Sequence, residues 1–541
     1  MLRIVTDITK FRKLDTSIHT ISHKIEDKIN RFLRKLKDRG FIDDYTYTSL
    51  YVTGSTPGIL YGLPKIHKAE VPLRPIFAAY KAAPYKLAKY LVPILSHLTK
   101  NKYTVENSYL FVKEVTGLKN VGACFMASMD VENLFTNVPL AETIDICIEL
   151  LFKNCNIFMN LTKNLFKTFL ELSVMNSVFV FDNQLYEQVD GLGMGLPLGP
   201  TFANIFMCYH EEKWLDACPQ EFKPIFYRRY VDDTFVLFRD RDHAGKFLNY
   251  MNSQHNSIKF TLEVESNNHL PFLDIDVNRT HDALVTSVYR KPTFTGLGLS
   301  FFSSCSLRFK INAINTLLFR AYHICSAYSC MHLEFNFLKK FFVSNGYPLV
   351  FVEEKIHSFL ESCYIQRETL VTVSKKPFYF VLPYFGEQSK KMKQDLIRKL
   401  NNFYPHIDFR VILRNDQTIG SFFRFKDRLP IAVRSFIVYE YCCALCNASY
   451  VGSTTRSLHC RISQHLGVSC RTNLALSRPD QSRIREHESG CRDCHISVDD
   501  FKILGNAGSG MDLRLLESMY IYSKKPTLNE YGAACQIHVF E

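Results

Sequence analysis

Arg229 to Phe238 reads RYVDDTFVLF. Asp232 and Asp233 interrupt a run of aromatic and β-branched residues that otherwise favours a buried strand. A carboxylate buried without a partner neutralises rather than stay charged, so two adjacent ones call for a cation. A hairpin with both aspartates at its tip resolves the conflict, because the carboxylates then project from the turn and bound Mg2+ balances them. That is one half of a metal site.

The other half lies upstream. Val121 to Pro139, VGACFMASMDVENLFTNVP, is an apolar run that stops abruptly at Asp130, the pattern of a central strand whose C-terminal end presents a carboxylate. Asp130, Asp232 and Asp233 together make a clamp for two Mg2+ ions in in-line phosphoryl transfer. Bound there, the ions would lower the pKa of an attacking 3′-hydroxyl and neutralise a triphosphate and the departing pyrophosphate.

The remaining composition fits such chemistry. A chain of 541 residues is too long for one core, which predicts two to four domains. The 66 Lys and Arg exceed the 53 Asp and Glu, and a net charge of +13 suits a polyanionic partner. No apolar run approaches the roughly 18 residues of a membrane span, and MLRIVTDITKFRK lacks the apolar core of a signal peptide. The 17 cysteines are therefore read as reduced thiols or metal ligands of an intracellular chain, nuclear or cytoplasmic.

Ile18, Ile21, Ile25, Ile29, Phe32, Leu33 and Leu36 recur at helical spacing and predict an amphipathic helix over 17–38. From Tyr61 to about Arg290, strand-like and helical runs alternate in an α+β pattern. Residues 300–365 read as mainly helical. A strand-rich connector marked by Pro and Gly leads to a final unit that starts near Ile431, where Cys and His crowd together.

Gly191 to Met207, GLGMGLPLGPTFANIFM, contains Gly-x-Gly, but Pro197, Pro200 and the missing third glycine argue against a dinucleotide loop. A glycine turn opening a helix instead lets backbone approach a base pair, with Gly195 and Pro197 at its centre. In YGLPKIHKAEVPLRPI, Lys65, Lys68 and Arg74 sit on a Pro-broken segment and project from a loop or ribbon. Lys259 reads as a solvent-facing strand lysine.

In the final unit Cys443-x2-Cys446 has metal-knuckle spacing, and His487 with His495 would close a tetrahedral zinc site. Cys491-x2-Cys494 offers an all-cysteine alternative, and spacing does not choose between them.

MDVENLF and YVDD resemble motifs A and C of reverse transcriptases, and GLGMGLPLGP resembles their motif B. The resemblance implies that Phe135 is the steric gate selecting dNTPs, and that Arg74 is the finger arginine on the dNTP triphosphate. YGLPKIHK, LFTNVP, MGLPLGP, RYVDDTFV, LPFLDIDV and VYRKPTFTG are similar to the Penelope-like retroelement branch, from about residue 20 to the end. Members of that branch usually carry a further N-terminal segment, short or missing here.

VYEY…SYVGST resembles the GIY-YIG nuclease signature appended in that branch, with valine for isoleucine in the second half and only the tyrosine kept in the first. The resemblance implies Tyr439 and Tyr450 as signature tyrosines, Arg461 as the phosphate-contacting arginine, Glu517 as the Mg2+ ligand, and His465 and Asn529 as supporting residues. It also favours Cys443, Cys446, His487 and His495 as the structural Zn2+ ligands.

The implied architecture is multidomain α+β, a right-hand polymerase followed by a small α/β nuclease with a zinc insertion. Its parts are an N-terminal helical segment (1–57), fingers and palm with an antiparallel sheet (58–290), a helical thumb (291–365), a connector (366–430) and the GIY-YIG unit (431–541). The implied partners are an RNA template, a DNA primer or target and dNTPs, with no membrane. The competing expectation is a truncated or domesticated relic that binds nucleic acid without turnover.

Overall fold

Strands Phe226–Tyr230 and Asp233–Phe238 form a hairpin with Val231 and Asp232 between them. They belong to a four-stranded antiparallel sheet, ordered Phe260–Val264, Phe125–Val131, Asp233–Phe238 and Phe226–Tyr230. The computed structural model describes residues 5–66, 71–153, 155, 157–175, 177–364, 377–384, 386–414, 429–491 and 495–529.

Side chains alternate across this sheet into two cores. Ala127, Met129, Val236 and Phe238 enter the larger one, whereas Met126, Phe235 and Leu237 enter a second on the opposite face. Strands covered on both faces require continuous apolar sequence, and the two central strands carry their only charges, Asp130 and Asp233, near their ends. Each fully buried Phe or Leu here contributes about 1.5–3 kcal/mol.

Helices Tyr85–Leu95, Leu140–Phe152, Lys163–Val174 and Gly199–Asp216 pack in the larger core. Helix Ile18–Asp38 joins them through Ile25, Ile29, Phe32, Leu33 and Leu36. Ser17 caps it, its side chain accepting from the Thr20 amide. The second core lies between helix Ser108–Thr116 and a three-stranded sheet of His269–Phe272, Ile275–Arg279 and Leu284–Val288.

A five-stranded sheet is ordered Phe11–Lys13, Gln184–Gln188, Ser177–Phe181, Gly58–Pro64 and Leu73–Ala78. Its first strand falls in the segment expected to be helical; three residues are too few for a two-residue period to register. Helices Leu307–Ile324, Tyr328–Ser344 and Leu349–Tyr364 form a unit around Ile314, Leu318, Leu338 and Val352.

The connector departs from the strand-rich expectation. Strands Pro377–Pro383 and Asp408–Arg414 pair in parallel, and a parallel pair needs a crossover, supplied by helix Glu387–Phe403. Ile437–Cys442 is the middle strand of a final antiparallel sheet, between Ser449–Thr454 and Phe501–Asn506. Helices Leu458–Leu466, Arg483–Gly490 and Gly510–Lys524 accompany it. Among the described residues no helix is long and apolar enough to cross a membrane.

Candidate active site

Asp130 and Asp233 are register partners on adjacent antiparallel strands. Such opposed residues hold their Cβ atoms about 4.5–5.5 Å apart. Asp232 sits in the neighbouring turn, where its carbonyl accepts from the Val131 amide at 3.1 Å. Three acidic residues from two stretches of chain thus meet at one end of the sheet, Asp130 and Asp232 half-buried and Asp233 exposed. An all-carboxylate donor set of this kind fits a hard cation such as Mg2+.

The cation demanded by the paired acids is not Arg229, although it lies three residues before Asp232. Its guanidinium is wholly buried and paired with an equally buried Glu211, Nε to Oε1 at 2.8 Å and Nη2 to Oε2 at 3.2 Å. Its other donors reach Asn204 Oδ1, Cys208 Sγ and, at 2.9 Å, the Val231 carbonyl. All five N–H groups are engaged. Burial works to lower the Arg229 pKa, but Glu211 outweighs it and the group stays charged.

Val231 is held at φ +58°, a rare conformation for a β-branched residue and one that surrounding contacts must maintain. The bond from Arg229 to its carbonyl is such a contact. Neither Arg229 nor Glu211 was among the expected site residues. The signal was a charge inside an apolar strand immediately before the acids.

The glycine loop docks on this end of the molecule. Gly195 has φ +122°, and a Cβ there would lie 2.2 Å from the Phe77 carbonyl. The Phe77 amide also donates to Met194 at 2.7 Å. Phe77 belongs to the strand Leu73–Ala78 that carries Arg74, exposed and opposite Leu63 near the loop end of its hairpin. The Lys65 amide donates to the Pro72 carbonyl at that end; Lys68 lies outside the described residues. Phe135, half-buried, accepts through its carbonyl from the Leu192 amide at 2.6 Å, and its ring faces Gly199. Pro197 is half-buried in the turn before helix Gly199–Asp216. Lys259 donates to the carbonyls of Asn252 and His255.

A second constellation occupies the C-terminal unit. Tyr439, fully buried, meets His465 Nε2 through its hydroxyl at 2.7 Å and accepts from Arg461 Nε at 3.0 Å. His465 Nδ1 lies 2.7 Å from Ser482 Oγ. Burial, then Arg461 and Arg485, push the His465 pKa down to about 3, which keeps the ring neutral. Burial raises both the Tyr439 and Tyr450 hydroxyls, against the pull of Arg461.

Glu517 accepts from Ser453 Oγ at 2.7 Å. Asn529 clamps Val451, accepting from its amide and donating to its carbonyl, both at 2.8 Å. It therefore fixes the strand next to Tyr450. Gly452, not anticipated from sequence, has no room for a Cβ, which would meet Tyr450 at 2.6 Å and the Tyr439 hydroxyl at 2.7 Å. An open cleft of about 490 Å³ runs past Ser453, Arg456, Arg461 and Arg514.

The expected zinc ligands need one correction. Sulfur and nitrogen atoms of Cys443, Cys446, His487 and Cys491 all lie within 4.8 Å of one another. His495 is exposed and outside this group. Helix Arg483–Gly490 explains the difference: Cys491 follows His487 by one turn and stays beside it, its amide donating to the His487 carbonyl. Cys494 lies outside the described residues. The donor set, mixed thiol and imidazole, suits Zn2+.

No curated protein matches the sequence. Solved structures that resemble the chain include apo telomerase from Candida tropicalis truncated from its C-terminal domain (14% identity, 44% of this chain and 56% of that one, TM-score 0.34). Telomerase from Candida albicans in complex with a fragment of telomeric RNA is 10% identical over 65% of this chain and 68% of that one, TM-score 0.41. The Sicinivirus 3Dpol RNA-dependent RNA polymerase is 12% identical over 62% and 71%, TM-score 0.38. The chain thus spans little more than half of the first of these. Residues 298–357, covering much of the three-helix unit, match the animal helix-turn-helix domain model. Residues 66–266, which contain all three acids, match the model for reverse transcriptase (RNA-dependent DNA polymerase), so this part of the chain is a reverse transcriptase domain.

Proposed function

We propose that the chain copies an RNA template into DNA and nicks the DNA that primes the copy. The observation that carries the first half is the pairing of Asp130 with Asp233 beside Asp232. Those carboxylates would hold two Mg2+ ions, which when bound supply charge neutralisation and activation of the primer 3′-hydroxyl. Arg74 meets the dNTP triphosphate with its forked donors. Phe135 crowds the sugar 2′-position, and the Gly195–Pro197 turn lies along the templating pair. The three helices 307–364 act as a thumb on the duplex.

In the C-terminal unit, Glu517 would hold one further Mg2+. Arg461 stabilises charge on the scissile phosphate, and the Tyr439–His465 pair together with Tyr450 orients the nucleophile. Cys443, Cys446, His487 and Cys491 would hold a structural Zn2+. This arrangement is that of a Penelope-like element with a GIY-YIG endonuclease, in which the nick exposes the 3′-hydroxyl for target-primed synthesis.

Extension of oligo(dT) on poly(rA) with dTTP and Mg2+ tests the polymerase against an Asp232→Asn control. Metal-dependent extension lost in the variant is expected; none in either protein would instead favour a nucleic-acid-binding relic. Supercoiled plasmid nicking, lost in Glu517→Ala, tests the nuclease. Equal nicking by both proteins would reject that ligand.

A further inference from the structure

A second group of metal-type donors lies where the first helix meets the C-terminal unit. His23, on helix Ile18–Asp38, faces Cys460 on helix Leu458–Leu466 and Cys470 in the loop that follows. The His23 Nε2 to Cys460 Sγ separation is 2.9 Å, across 437 positions of sequence. Donor atoms of all three residues lie within 4.8 Å of one another. A tetrahedral zinc site, with bonds of about 2.0 Å to nitrogen and 2.3 Å to sulfur, spaces its donors roughly 3.5–3.8 Å apart. Small side-chain adjustments would bring this group to that spacing.

The surroundings are those of a ligand site. The other ring nitrogen of His23, Nδ1, lies 3.7 Å from Glu26 Oε2, the carboxylate–imidazole pairing that orients metal-bound histidines. Glu26 is itself buried, and its second oxygen accepts from the Ser55 amide. The hydrogen bond between the two thiols lowers Cys470 and, with burial, raises Cys460, so one thiolate of the pair is favoured in the metal-free site. One turn before His23, His19 packs on His459 with ring centroids 4.3 Å apart, and its buried Nδ1 lacks a hydrogen-bond partner. Burial, then His459 and His23, lower the His19 pKa to about 4, so it adds no competing positive charge at neutral pH.

We propose that His23, Cys460 and Cys470 bind one Zn2+, with an exchangeable fourth ligand, and that this ion staples the N-terminal helix to the C-terminal unit. Two polar contacts share the junction: Arg471 with Asp27 at 2.5 Å, and Ser435 Oγ donating to the Gly54 carbonyl at 2.6 Å. At Gly54 a Cβ would lie 2.2 Å from the Thr455 carbonyl, so the two surfaces touch at backbone distance. Neither the polymerase nor the nuclease reading is needed for this site.

Zinc content per full-length chain, measured by mass spectrometry of the metal, is the test. Cys470→Ser and His23→Gln should each lose one equivalent relative to the unaltered chain, additively with the loss from Cys446→Ser. Unchanged zinc in folded Cys470→Ser overturns the proposal. So does a Cys460–Cys470 disulfide in the purified protein. Should both variants fail to fold, cadmium NMR of Cys446→Ser decides, because that change leaves this site intact. A thiolate-ligated cadmium resonance is expected there, and its absence counts against the site.

Discussion

Arg229 Nη1 donates to the carbonyl of Val231 at 2.9 Å, so a wholly buried guanidinium holds the left-handed residue that precedes the two aspartates. Glu211 holds the guanidinium in turn. Removing one partner of a buried ion pair leaves an uncompensated charge and costs about 3–5 kcal/mol. Glu211→Ala should lower stability by that order in urea unfolding and abolish extension. A change below about 1 kcal/mol would deny the pair this role.

Phe135 is tied to the glycine loop through its carbonyl, and its ring faces Gly199. If the ring excludes a 2′-hydroxyl, Phe135→Ala should raise incorporation of ribonucleotides relative to dNTPs by at least about tenfold, the effect of some 1.4 kcal/mol. Competitive single-nucleotide incorporation reads this ratio. Unaltered selectivity refutes the gate.

Gly452 leaves no space for a side chain between Tyr439 and Tyr450. Gly452→Ala should displace one ring and abolish nicking while polymerase extension persists, because the two constellations lie in different units. Retained nicking would show that the tyrosine geometry is not needed.

His465 is neutral when folded and takes up its proton only near pH 3, against an ordinary value of 6.5. Between those values the unfolded chain binds the proton and the native one does not. The ring's contribution to stability is therefore complete above about pH 6.5 and lost as pH falls towards 3. Thermal unfolding of His465→Gln should show a shallower decline over that window than the unaltered chain. Parallel declines would contradict the burial argument.

Much of the acidic site was legible because its residues break a pattern. Asp130 ends an apolar run, and Asp232 and Asp233 interrupt another, so chemistry and position coincide in the sequence. The Gly195 turn was legible for a similar reason, since glycine and proline constrain backbone locally. What joins elements across long separations was not legible. Arg229 looked like one more charge until Glu211, on another element, was brought beside it. Cys491 replaced His495 because helical phase, not residue spacing alone, chooses which donors meet. The connector helix Glu387–Phe403 was not legible, although Met392, Leu396, Ile397 and Leu400 follow a helical period, because strand-forming residues flank it on both sides.

Asp130 stands opposite Asp233 on the adjacent strand, where it would share divalent ions with Asp232 and Asp233. Primer extension on an RNA template by Asp130→Asn, titrated with Mg2+, tests it. A loss of more than about a hundredfold that added Mg2+ does not restore is expected. Extension within a fewfold of the unaltered chain would contradict it.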